Sequence, residues 1–244
     1  MNRPKFSRNE QLLTLVWAVF LVAFLFITFF RGSFHSFDVE VNAGIPSIQS
    51  SSLTTINEGI AVVFDTTSLV IFSLAIACYL FLKKRRAEGL FLLGAMGVDA
   101  LVVSVVKGLV QSPRPLNELV FSSGFSFPSG HTAGSIVFCG SLAFFVGHRW
   151  KSMRVRISNG IGVVAVSSVV GFSRVYLNVH WLSDIVGAGM IGVFLLSAAV
   201  LVFKLMQDRG NFETEVFRRI SLPLIVVAIG VAFFIILNSM ISIL

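Results

Sequence analysis

"FPSGHTAGSIVFCGSLAFFVG", residues 127–147, joins a turn of small polar residues to an apolar run. The run is too long for a strand. Extended as helix into the turn, it reaches the roughly 20 residues that cross about 30 Å of hydrocarbon. Similar runs recur at about 11–30, 59–82, 89–106, 157–172, 182–203 and 222–244. The runs at 132–147 and 157–172 are slightly short, so their ends should continue as helix into the polar residues beside them. With 55% hydrophobic and 13% charged residues and a mean hydropathy of +0.88, an ordinary soluble domain is excluded. The expected fold is all-α, a polytopic transmembrane helix bundle. Residues 1–206 would form a six-span core, and residues 207–244 a cytoplasmic connection and a seventh, C-terminal span. The first run follows Arg3, Lys5 and Arg8, but "ITFFRGSFHS" offers no small-x-small cleavage site, so it reads as a retained span. Cys78 and Cys139 fall within spans and are expected to be buried, unpaired thiols.

The net charge of +7 is explained by where the cations lie. Of the 19 Lys and Arg, 15 fall in alternate connections: Arg3, Lys5, Arg8; Lys83, Lys84, Arg85, Arg86; Arg149, Lys151, Arg154, Arg156; Lys204, Arg209, Arg218, Arg219. By the positive-inside rule these connections are cytoplasmic, so the basic clusters are topology markers and not a nucleic-acid surface. The amino terminus is then inside and, after seven spans, the carboxyl terminus outside. Four cations remain on the outer side: Arg31, Lys107, Arg114 and Arg174.

Three of these belong to short polar stretches at outer span ends: "KGLVQSPRP" (107–115), "PSGH" (128–131) and "SRVYLNVHWLSD" (173–184). Singly, each has a plain reading. Lys107 and Arg114 could snorkel to headgroups, Ser129 could cap a helix, and His180 with Asp184, four apart, could form a structural hydrogen bond. On one side of one membrane they collect three cations, two imidazoles, a carboxylate and a serine, which is the chemistry of a phosphate site.

In this order, Lys-x6-Arg-Pro, Pro-Ser-Gly-His and Ser-Arg-x5-His-x3-Asp resemble the three signatures of the type 2 phosphatidic acid phosphatases, a superfamily that also holds the vanadium haloperoxidases. The match includes Lys107, Arg114 and Pro115; Pro128, Ser129, Gly130 and His131; Ser173, Arg174, His180 and Asp184. It implies that residues 1–206 are a lipid phosphatase core; the seventh span departs from the six-span plan and gains no role.

The resemblance implies that His180 is the nucleophile, forming a phosphohistidine that water hydrolyses. Asp184 would fix its tautomer, and His131 would protonate the leaving oxygen and then activate water. Lys107, Arg114, Arg174, Ser129 and the Gly130 amide would bind phosphate, the last two at a helix start that favours anions. No carboxylate or Cys/His cluster accompanies the motifs, so neither a metal nor another cofactor is expected. Asp65 and Asp99, inside spans, read either as structural hydrogen-bonding groups or as substrate or proton handlers. His35 and His148 read as loop residues, and the outer connection 31–58 as a segment lying along the membrane beside the site.

The expected partners are membrane lipids and a lipid phosphate substrate, with no nucleic acid; oligomeric state is left open. The first substrate candidate is a polyprenyl diphosphate such as undecaprenyl diphosphate, hydrolysed at the extracytoplasmic face. The alternatives are phosphatidate or phosphatidylglycerophosphate hydrolysis, lipid-to-lipid phosphotransfer, haloperoxidase chemistry, which membrane embedding disfavours, and non-enzymatic lipid binding or transport.

Overall fold

A computed structural model describes residues 8–150 and 152–208, all helix and connection with no strand among them. The helices are α1 (Arg8–Phe29), α2 (His35–Gly44), α3 (Ser51–Val63), α4 (Thr66–Leu82), α5 (Arg86–Val110), α6 (Gly130–Trp150), α7 (Met153–Tyr176) and α8 (Leu182–Asp208). Short 3-10 turns at Arg31–Phe34 and Ile45–Ile48 flank α2. Five helices are long and apolar enough to cross a membrane, and α3 with α4 makes a sixth candidate span bent by 49°. The protein is thus an all-α, multi-pass membrane bundle. The seventh expected span, 222–244, and most of the connection before it lie outside the described residues.

The two short runs do continue as helix. α6 begins at Gly130, inside the polar turn, and α7 reaches Tyr176 through Ser173 and Arg174. The second expected span, 59–82, is not one straight helix. Asp65 is extended and its Oδ2 accepts from Thr67 N at 2.9 Å, while Ser68 Oγ donates to Val62 O at 2.6 Å. These side chains take the backbone groups that an unbroken helix would pair, so α3 stops and α4 restarts under its own cap.

α6 is the most buried candidate span and packs against α5, α7 and α8; α1 lies along α8, and α4 along α5. One core cluster joins Phe24 and Ile27 of α1, Val103 of α5, Val137 of α6 and Ile191 of α8 around Phe127. A second joins Leu69, Phe91, Phe138, Phe145 and Phe203 nearer the opposite end. Close packing needs a missing side chain at Gly187, where a Cβ would come within 2.4 Å of the Phe127 ring. Against expectation, Cys78 is exposed on α4 and Cys139 only half-buried, because a bundle helix turns part of its circumference toward lipid. His35 and His148 are helical, opening α2 and closing α6.

Candidate active site

The three polar stretches meet at one end of the bundle, where α5 ends, α6 begins, α7 ends and α8 begins. Lys107 is in the last turn of α5, which stops at Gln111 in a left-handed conformation (φ 49°) before Ser112-Pro113. The loop that follows is closed by Ser126 N donating to Ser112 O at 2.9 Å and by a 2.7 Å contact between the two hydroxyls. Lys107 Nζ donates to Phe125 O (2.6 Å) and Ser126 O (3.1 Å). Arg114 grips the same loop through Gly124 O (3.0 Å) and Ser123 O (3.0 Å), and reaches Val179 O (2.7 Å).

Ser129 caps α6: Thr132 N and Thr132 Oγ1 approach its Oγ at 3.5 and 3.2 Å. Its own amide donates to Asp184 O at 3.3 Å, joining the second and third stretches. A Cβ at Gly130 would meet only Val103, at 3.7 Å, so crowding by the protein does not require glycine there. His131 follows in the first turn, with Nε2 3.7 Å from Asp65 Oδ1. Asp65 is therefore both the α4 cap and the neighbour of His131.

His180 occupies the connection between α7 and α8 and is fully buried. Its Nδ1 lies 3.2 Å from Asp184 Oδ2, which also accepts from Trp181 N at 2.9 Å. Its Nε2 faces the cations, with Arg114 Nη1 at 3.5 Å. Burial first, then Lys107, Arg114 and Arg174, holds the His180 imidazole well below its ordinary pKa. The ring is therefore neutral at neutral pH. Arg174, in the last turn of α7, is 3% exposed, and its Nε has no hydrogen-bond partner among the described residues. Asp99 is buried mid-helix in α5, its Oδ2 3.6 Å from where a Cβ would stand at Gly134, three residues past His131, and its Oδ1 is unpartnered among the described residues.

The structure thus brings Lys107, Arg114, Ser129, Gly130, His131, Arg174, His180 and Asp184 to one place. Among the described residues no group of three His, Cys, Asp or Glu could hold a metal ion. Sequence reasoning named Asp65 without placing it beside His131, and missed Asp38 accepting from Ser183 N at 2.8 Å and Arg31 in an ion pair with Asp184 at 3.1 Å. Arg31 did leave a signal, being the one expected outer cation without a motif.

Comparison with known proteins gives the class of the bundle. Residues 88–211 match the PAP2 superfamily, and the chain belongs to it. It is a membrane lipid phosphatase, a phosphoric-ester hydrolase. It is 31% identical over 184 residues to phosphatidylglycerophosphatase B of Bacillus subtilis, covering 70% of this chain and 88% of that one. It is 35% identical over 116 residues to Escherichia coli K12 YbjG, provisionally named an undecaprenyl-diphosphatase, covering 44% and 53%. The crystal structure of a transmembrane PAP2-type phosphatidylglycerolphosphate phosphatase from Bacillus subtilis aligns with a TM-score of 0.66 and 25% identity, over 81% of this chain and 96% of that one.

Proposed function

We propose that this enzyme hydrolyses a lipid phosphate monoester or diphosphate through a phosphohistidine on His180, at the extracytoplasmic face. The observation that carries the reading is the orientation of His180: Nδ1 is tied to Asp184, and Nε2 is turned toward Arg114. A proton on Nδ1 leaves a lone pair on Nε2, the nitrogen that would attack phosphorus. As the phosphorus–nitrogen bond forms, the ring becomes cationic beside the Asp184 carboxylate, and the bond to the lipid oxygen breaks. His131 supplies the proton to that oxygen, then takes one from the water that cleaves the phosphohistidine. Lys107, Arg114 and Arg174 offset the charge that grows on the equatorial oxygens. The Arg174 Nε, without a partner among the described residues, suits an oxyanion there.

Two substrates have specific support. Phosphatidylglycerophosphate is favoured by the relative that covers 70% of the chain. A polyprenyl diphosphate is favoured by the shorter, more identical match to YbjG. Purified enzyme assayed against both, with phosphatidate as a third lipid and every product identified, decides between them by kcat/KM. Transfer of phosphate to another lipid in place of water would instead make it a phosphotransferase. Sidedness rests on the division of the basic residues: Phe121→Cys should react with an impermeant thiol reagent on intact cells and Ser152→Cys should not. The reverse pattern would place hydrolysis in the cytoplasmic leaflet.

A further inference from the structure

The residues between α1 and α3 form the outer support of the third motif. Arg31 Nη2 lies 3.1 Å from Asp184 Oδ1. Asp38 of α2 accepts from both the amide and the hydroxyl of Ser183. Asn42 Nδ2 donates to Asn178 Oδ1 at 2.7 Å and approaches His180 O at 3.4 Å. The His35 ring meets Trp181 edge-on at 5.6 Å. Further along, Ser50 N donates to Tyr176 Oη at 3.1 Å. One short stretch therefore holds the loop carrying His180 from end to end, and Arg31 is the contact made on the carboxylate itself.

Asp184 is wholly buried, and its two oxygens have separate tasks. Oδ2 serves His180 Nδ1 and Trp181 N; Oδ1 has no hydrogen-bond partner among the described residues and is met by Arg31 as an ion pair. The guanidinium also lies over the Phe127 ring, 4.8 Å from its centroid, which wedges it between the residue before Pro128 and the third motif. Its other acidic neighbour, Asp38, is occupied by Ser183. Lys107 and Arg114 also act on Asp184 through charge, Lys107 less strongly than Arg31, and Arg31 is the cation paired with Oδ1.

We propose that Arg31 is a positioning residue, which keeps Asp184 ionised and turned toward His180 Nδ1 while the ring is still neutral. This deepens the phosphohistidine reading and rests on it. An isolated buried carboxylate is strongly disfavoured and takes up a proton instead. A protonated Asp184 could donate to Nδ1, and the ring proton would then sit on Nε2, where it occupies the attacking lone pair. Arg31 thus acts on the reaction through a tautomer, without touching substrate.

The test compares Arg31→Met, which keeps an apolar stem over Phe127 without the charge, and Arg31→Lys, which keeps the charge. Arg31→Met should lower kcat roughly 10²-fold with KM changed less than about threefold, and Arg31→Lys should recover all but about tenfold. Nitrogen-15 spectra of labelled histidine, with the His180 signals assigned through His180→Ala, should show the proton on Nδ1 in the parent protein and on Nε2 in Arg31→Met. Should Arg31→Met not fold, Arg31→Gln removes the same charge and is expected to show the same loss and tautomer. Turnover within threefold of the parent, a loss confined to KM, or an unchanged tautomer would overturn the proposal. If the parent protein hydrolyses no lipid phosphate, the phosphatase reading fails by itself, and the tautomer comparison still decides the role of Arg31.

Discussion

The two histidines of the site each face an aspartate, in different surroundings. His180 and Asp184 are 3.2 Å apart, with side chains 3% and 0% exposed; His131 and Asp65 are 3.7 Å apart, with side chains 18% and 44% exposed. The first pair is locked by Trp181 N and Arg31, whereas the second carboxylate also caps α4 through Thr67 N. The difference suits the two tasks proposed for them. A nucleophile must aim one nitrogen along a fixed line, while an acid that later becomes a base serves a leaving oxygen and then a water, and benefits from play.

Breaking the tight pair should do most harm. His180→Ala is expected to lower turnover by roughly 10⁴-fold or more and to abolish an acid-labile phosphoenzyme in rapid-quench labelling, with thermal unfolding little changed. Near-normal turnover in that variant would remove the mechanism. His131→Ala should lose roughly 10²–10⁴-fold, and less with a substrate whose leaving group needs no proton. Asp184→Asn should fall by roughly 10²–10³-fold, because an amide can hold the wrong tautomer of His180.

The pH profile sharpens the comparison. Burial and three cations disfavour the charged form of His180, so its pKa in the folded protein lies below the ordinary 6.5. The neutral, attacking form then persists as pH falls past 6.5, and the acid limb of kcat/KM due to His180 lies below that value. Lys107→Gln removes one of the cations and should move the limb upward. A His180 limb at or above pH 7 in the parent protein would contradict the burial argument.

The loose pair should yield the smallest effect. Asp65→Asn keeps a capping side chain and should lower kcat by less than about tenfold, since 3.7 Å is already beyond hydrogen-bond length. Asp65→Ala also removes the cap and should cost about 1 kcal/mol in unfolding measurements. A loss in Asp65→Asn as large as that in Asp184→Asn would make the two pairs equivalent and end the distinction.

The tight pair was legible in the sequence and its surroundings were not. The spacing of four put His180 and Asp184 together in the sequence as neighbours on one helical face, but the structure pairs them differently: His180 precedes α8, and Asp184, in its first turn, reaches back to Trp181 N and to the ring. Lys107, Arg114, Ser129, Gly130, His131 and Arg174 were legible through residue chemistry and the alternation of spans. The break at Asp65 was hidden because hydropathy averages over the run 59–82 and does not register that Asp65 and Ser68 bond to the backbone. The neighbours of His35, Asp38 and Asn42 were hidden because their partners lie far along the chain. Arg31 was marked only as a cation on the wrong side for topology.

Those separations bear on how the enzyme is made. Asn42 meets Asn178 across 136 residues, and Ser183 meets Asp38 across 145. The support for the third motif is translated early and waits through α3 to α7 before the segment it holds exists. A chain stopped after α6 would carry Lys107, Arg114 and His131 but neither Arg174 nor His180, and one stopped soon after Asp184 would lack most of α8, which lies along α1. On the proposed mechanism, the residues needed for hydrolysis come together only after α7 and the start of α8 have been made.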